Sequence, residues 1–139
     1  MEALDNLVKV NQLKVESADA TEFAGMLKAG DAKLADCQID GLSDDSQFSL
    51  AYSAAHAFSL AALRWHGYRS DKRYIVFQCL KHTLALDNAQ WRILDQCHRA
   101  RNLAEYEGHL EINPQLLKEL IVAVRHIQKL VKAMPPIDE

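Results

Sequence analysis

Apolar residues recur at intervals of three and four along most of the chain, which is the period of helices that bury one face. Turn-forming and helix-capping residues interrupt this pattern at intervals. The predicted helices span residues 3–14, 20–38, 48–66, 72–86, 87–108 and 116–134. No repeat or linker divides them, so the pattern predicts one all-α domain over residues 1–139, an antiparallel bundle of five or six helices.

The segment 48–66 is predicted to lie at the centre of this bundle. It is apolar on nearly all sides and rich in alanine, as expected of a helix enclosed by close neighbours. The other helices have one apolar face, and the predicted inward residues include Leu4, Leu7, Val8 and Val15 in the first, Phe23, Leu27, Leu34 and Ile39 in the second, and Ile93, Cys97, Ala100, Leu103 and Ala104 in the fifth. Gly30 is expected to weaken the second helix by about 1 kcal/mol relative to alanine.

Capping signals mark the helix ends. A helix start is predicted at Ser17 or Asp19, because either side chain can accept a hydrogen bond from an unpaired backbone N–H. The next restart falls among Ser43, Asp44 and Ser46, and a later one at Ser70 or Asp71. Asn113 before Pro114 fits an N-cap followed by the first helical position. Gly67 and Gly108 fit the left-handed position that follows a helix.

Composition narrows the class of protein. The chain is 49% hydrophobic and 25% charged, which is ordinary for a globular domain of 139 residues. Three scattered cysteines suggest neither a disulfide framework nor a zinc site, and the histidines lack metal-ligand spacing, so no metal or other cofactor is expected. The acidic start does not resemble a signal peptide, and no apolar run is long enough to span a membrane. A cytoplasmic location is therefore expected.

Charge is distributed unevenly along the sequence. Residues 1–47 hold ten acidic and four basic residues, whereas residues 64–101 hold eight basic and three acidic residues. One end of the molecule is therefore expected to attract phosphates, unless these bases merely coat solvated helix faces.

The predicted helix 87–108 carries the candidate functional residues. Within about three turns of its second half it holds His98, Arg99, Arg101, Asn102, Glu105 and Tyr106. Arg101 and Glu105, four residues apart, could form an ordinary surface ion pair worth about 0.3–0.5 kcal/mol. Alternatively, Arg101 could offer two parallel donors to a phosphate, with Arg99, His98 and Asn102 beside it.

Three features together resemble one family. The run LAYSAAHAFSLAALRWHGYR is followed by a basic helix and then by Arg-x-Arg-Asn-x-x-Glu-Tyr at positions 99–106. This order resembles the HEPN (higher eukaryote and prokaryote nucleotide-binding) superfamily over about residues 20–133. The resemblance implies a helical domain, commonly a homodimer in which the motif helices of two chains meet. Catalytic members are metal-independent ribonucleases, often toxins or defence proteins.

The catalytic motif of that superfamily is an Arg, four to six intervening residues and a His. Arg101 matches the Arg and Asn102 the polar residue that often follows it, but Tyr106 stands at the first His position and His109 comes one place too late. A tyrosine is about 4–5 kcal/mol harder to ionise at pH 7 than a histidine. Tyr106 could still donate to a phosphate or stack on a base, while His98 could replace the missing acid–base group.

Two functions from different classes therefore follow from the sequence. The first is a HEPN-like protein, dimeric through the 48–66 and 88–107 helices, that binds RNA or a nucleotide, with Arg101 and Tyr106 as the candidate catalytic pair of a metal-independent endoribonuclease. The second is a non-enzymatic interaction module, such as the substrate-binding or antitoxin-like partner of a nucleotidyltransferase, in which the motif only orders the bundle.

Overall fold

The computed structural model describes residues 1–138, and they form an all-α helical bundle with one small two-stranded sheet. The predicted fold class is thus confirmed. The helices are α1 (Glu2–Lys9), α2 (Ala20–Asp36), α3 (Asp44–Trp65), α4 (Arg73–Gln78), α5 (Leu80–Thr83), α6 (Asn88–Glu107) and α7 (Pro114–Lys132). Cys79 alone separates α4 from α5, so these two segments form one broken helix. None of the helices in this part of the chain is both long and apolar enough to cross a bilayer.

Side-chain caps begin four of the helices. Asp19 accepts from the Glu22 N–H at α2, Ser43 from the Ser46 N–H at α3, Asp87 from the Gln90 N–H at α6, and Asn113 from the Gln115 N–H at α7. Each cap satisfies a donor that the helix itself leaves unpaired. Gly67 and Gly108 adopt the left-handed conformation after α3 and α6, with φ of 86° and 83°. These ends confirm the signals predicted at Asp19, Ser43, Asn113 and the two glycines. The start predicted at Ser70 or Asp71 is wrong, because α4 begins after Lys72 without a side-chain cap, and Ser70 Oγ accepts only from the Lys72 N–H ahead of the helix.

Helix α3 lies at the centre, packed mainly against α2 and α7. Five of its six alanines and Phe58 are buried in the main core together with the inward faces of those two helices. Gly30 of α2 lies against Phe58 so closely that a Cβ there would approach the ring to 2.6 Å. The glycine that was expected to weaken α2 is thus what lets α2 and α3 meet.

A smaller second core joins α1 to the region after α3. Leu4 is buried in it, and strand β1 (Lys14–Val15) pairs antiparallel with β2 (Tyr68–Arg69). Below this sheet Arg64 is 3% exposed, yet it donates to Glu22 Oε1 at 2.5 Å and to the main-chain oxygens of Glu16 and Ser17. A buried guanidinium with this many acceptors ties the N-terminal segment to α3.

Four other details of the predicted elements are wrong. The first helix stops at Lys9 and not at residue 14, because Asn11 takes a left-handed conformation (φ 62°) and the chain then enters β1. Val15 faces solvent because it lies in that edge strand. Ile39 is exposed because it follows the end of α2. Leu103 is 56% exposed because the second half of α6 extends beyond the core.

Candidate functional site

The second half of α6 turns one polar stripe towards α3 and α4. The stripe contains His98, Arg101, Asn102 and Glu105, which follow one another at intervals of three, one and three residues and so share a face of the helix. Arg101 Nη1 lies 2.9 Å from Glu105 Oε1 in an ion pair that is open to solvent. The expected i,i+4 pair is therefore formed, but it occupies only one side of the guanidinium.

Tyr52 of α3 lies at the centre of the contacts that this stripe makes. The Tyr52 ring is buried, and the guanidinium carbons of Arg101 and Arg73 lie 5.2 and 5.5 Å from its centroid. Burial raises the pKa of the Tyr52 hydroxyl above its ordinary value, so the group stays protonated at neutral pH. An aromatic face attracts cations without neutralising them. Two positive charges from different helices are thus held beside one ring.

His98 connects Tyr52 to Asn102. Its Nδ1 is 2.9 Å from the Tyr52 hydroxyl, and its Nε2 is 3.0 Å from Asn102 Nδ2. Because an amide nitrogen only donates, Nε2 accepts and the ring proton lies on Nδ1, where it is donated to Tyr52. Burial, reinforced by Arg101 and Arg73 and opposed by Asp95, lowers the pKa of His98. The imidazole is therefore neutral at pH 7.

His56 lies one turn after Tyr52 on α3, and its pKa is affected by the positive charge of this region. Burial comes first among the causes that lower its pKa to about 4, and the charges of Arg73, Lys33 and Arg101 lower it further. These three cations come from α4, α2 and α6. We call Lys33, Arg73 and Arg101 the basic cluster.

A polar cavity of about 460 Å³, wide open to solvent, adjoins this cluster between the first turns of α3 and the end of α6. Arg101 and Glu105 line it from α6, and Asp45 and Ser49 line it from α3. His109 also lines it, because the left-handed Gly108 ends α6 and turns the chain back. His109, which comes one place too late in the sequence for the HEPN motif, thus lines the same cavity as Arg101.

The structure brings together three of the five predicted site residues. His98, Arg101 and Asn102 lie together around Tyr52. Arg99 points away from them and pairs with Asp95 at 3.2 Å, with 77% of its side chain exposed. Tyr106 is 91% exposed and lies on the same outward side of α6. Tyr106 therefore lies apart from Arg101 within one chain, because five residues of helix turn the chain by about 140°. The catalytic pairing of Arg101 with Tyr106 stays a prediction.

Sequence reasoning missed Tyr52, His56, Lys33 and Arg73. The histidine and the tyrosine are the large polar groups inside an alanine-rich, otherwise buried helix, and their separation of four residues places them on one face. That signal was present in the sequence. Lys33 and Arg73 had no comparable local signal, because they join the site only through the packing of α2 and α4.

No protein-family model matches this chain, and neither a curated protein nor a solved structure shows significant similarity to it. Within residues 1–138, no three His, Cys, Asp or Glu side chains converge as a metal site would require. The three cysteines in this part of the chain are buried thiols without disulfides.

Proposed function

We propose that this protein is a HEPN-like domain that binds a phosphate group of RNA or of a nucleotide at the basic cluster. The observation that carries the proposal is the pair of guanidinium groups, Arg73 from α4 and Arg101 from α6, that lie 5.5 and 5.2 Å from the Tyr52 ring centroid. Lys33 from α2 adds positive charge near His56. Lys33 and Arg73 have no ion-pair partner within residues 1–138. Uncompensated positive charge of this kind attracts an anion.

Arg101 is the residue best suited to contact the phosphate directly. Its side chain is 33% exposed, and its pair with Glu105 is solvated, so this pair stabilises the protein by only about 0.3–0.5 kcal/mol. A phosphate can therefore replace or share that contact at little cost. The guanidinium plane then offers two parallel donors, which is the geometry that phosphate oxygens accept.

Cleavage of the bound RNA is the activity that the HEPN resemblance adds to this proposal. Such a reaction needs a proton acceptor and a proton donor close to the phosphate. His98, which is neutral at pH 7 and lies beside Arg101, supports this role better than Tyr106 does. His109, on the wall of the adjoining cavity, is a further imidazole near Arg101.

Binding is tested by fluorescence anisotropy with a 5′-labelled single-stranded RNA. Arg101→Ala and Arg73→Ala should each weaken binding by about 10- to 100-fold, because each removes a charged donor. Arg92→Ala is the matched control, since it removes an exposed arginine of α6 outside the cluster. Three phosphate contacts also predict a slope of log K against log salt of about −2. Equal effects at positions 92 and 101, or binding indifferent to salt, would contradict the proposal.

The same variants distinguish the nuclease from the interaction module. RNA is incubated with the protein in the presence of EDTA, and the products are separated on a denaturing gel. Cleavage that disappears in Arg101→Ala and His98→Ala supports a metal-independent ribonuclease. If RNA is neither bound nor cut, and Arg101→Ala only lowers the melting temperature, the interaction module, for instance a nucleotidyltransferase partner, becomes the better account.

A homodimer through the outward side of α6 is part of the proposal, whereas much of α3, the other helix expected at the interface, is buried within one chain. Leu103 and Tyr106 expose apolar surface there, between Arg99 and Glu107. Antiparallel pairing centred on Leu103 would set Arg99 against Glu107 of the partner subunit. The two-fold axis of such a pair is perpendicular to the plane of the two helices. Both basic clusters would then lie on one side of the dimer, where two copies could contact the same RNA.

A further inference from the structure

The cavity beside Arg101 differs in charge from the basic cluster that it adjoins. Asp45 and Glu105 bring two carboxylates to its wall, against the single guanidinium of Arg101. Such a wall repels a phosphate from the interior, while Arg101 at the border repels an ammonium group. The ligand portion that fits inside is therefore uncharged and carries hydrogen-bond donors, which is the chemistry of hydroxyl groups.

The cavity and the basic cluster are close enough to hold two parts of one ligand. Arg101 belongs to both, and Phe48, on the cavity wall, stacks on Tyr52 with ring centroids 5.9 Å apart. Ser49 lies one turn after Asp45 on the same face of α3 and adds a hydroxyl. The volume of about 460 Å³ is within the usual range for small-molecule sites.

We propose that this cavity binds the ribose of a ribonucleotide whose phosphate lies on Arg101, with the sugar's 2′- and 3′-hydroxyls donating to the carboxylates of Asp45 and Glu105. The inference rests on the proposed function and narrows its ligand. An internal RNA nucleotide has its 3′-oxygen esterified, so only a free 5′-nucleotide or the 3′-terminal nucleotide of RNA offers both hydroxyls. The protein therefore recognises a ribonucleotide end.

The test compares ligands that differ only in these hydroxyls. Adenosine 5′-monophosphate and its 2′,3′-dideoxy analogue are titrated into the full chain by calorimetry. Wild type should bind the nucleotide with the diol about tenfold more tightly, because hydrogen bonds to charged acceptors are the stronger ones. A short RNA with a 3′-terminal diol, compared with the same RNA ending in a dideoxynucleotide, separates an RNA end from a free nucleotide as the source.

Two neighbouring aspartates supply the matched variants. Asp45→Ala should lower the affinity for adenosine 5′-monophosphate to that of the dideoxy analogue and leave the analogue unaffected. Asp44→Ala removes the same charge from the same exposed first turn of α3, but Asp44 does not line the cavity, so it should leave both affinities unchanged. Effects of equal size at the two positions would overturn the role of Asp45.

The outcomes for this inference and for the proposed function are separable. If both nucleotides bind wild type equally, and Arg101→Ala weakens both, the ribose site is overturned and the phosphate site stands. If neither nucleotide nor either RNA binds wild type, both proposals are overturned.

Discussion

At the scale of single residues, the candidate site is notable for how its cations are held. Arg73 and Arg101 lie over the face of Tyr52, and only Arg101 also pairs with a carboxylate. A ring orients a guanidinium without cancelling its charge. Burial and this positive environment together lower the pKa values of His56 and His98, and both imidazoles are therefore neutral at pH 7. An incoming anion would relieve that repulsion.

His56 should make the stability of the protein depend on pH. Burial, reinforced by the charges of Arg73, Lys33 and Arg101, lowers its pKa from 6.5 in the unfolded chain to about 4 in the folded chain, so between these values the unfolded chain binds more protons. Stability is therefore fully present above pH 6.5 and falls as the pH drops towards 4. His56→Gln should remove about 2 kcal/mol of the loss between pH 7 and pH 5, as measured by urea unfolding at both values.

The exposed His82 supplies the control for that measurement, and His82→Gln should keep the wild-type pH dependence. Some dependence should remain in His56→Gln, since burial also lowers the pKa values of His66 and His98. An unchanged difference in stability between pH 7 and pH 5 in His56→Gln would show that its imidazole is not held neutral as described.

At the scale of helices, two glycines of α2 have opposite environments. A Cβ on Gly30 would lie 2.6 Å from the buried Phe58 ring, whereas a Cβ on Gly25 would meet nothing within 4 Å. Gly30→Ala should destabilise the protein by about 1–3 kcal/mol, because overpacking exceeds the gain in helix propensity. Gly25→Ala should stabilise it by about 0.5–1 kcal/mol. Thermal unfolding of the two variants tests this, and a stabilised Gly30→Ala would disprove the close packing of α2 on α3.

The helices themselves were largely predictable because their signals are local. Asp19, Ser43 and Asn113 cap helices at predicted positions, and the alanine-rich segment forms the buried centre. The strand at Lys14–Val15 was not predictable, since it exists only by pairing with residues more than fifty positions away. The same distinction between local and long-range signals applies to the residues of the candidate site. His98, Arg101 and Asn102 share one helix face, while Lys33 and Arg73 come from other helices.

At the scale of the whole molecule, folding changes the charge distribution that the sequence suggests. Glu16 and Glu22 of the acidic N-terminal part pair with Arg64 and Arg69 of the basic part, at distances of 2.5–3.3 Å. Those two arginines are therefore not available to a phosphate. Lys33, from the acidic part, lies near His56 and joins the basic cluster instead. Folding therefore removes two arginines from the basic part of the sequence and adds Lys33 from the acidic part to the cations near His56.

Exposed apolar residues on two helices allow a matched test of the proposed dimer. Leu103 of α6 is 56% exposed and Val122 of α7 is 61% exposed. If α6 pairs with its copy, Leu103→Glu should convert the protein to a monomer of 15.7 kDa in sedimentation velocity, while Val122→Glu should remain dimeric. Arg99→Glu should also weaken the dimer, because it faces Glu107 of the partner subunit, and Arg99→Glu combined with Glu107→Arg should restore it. A wild-type monomer, or a charge reversal without rescue, would refute this pairing and leave each basic cluster to act within a single chain.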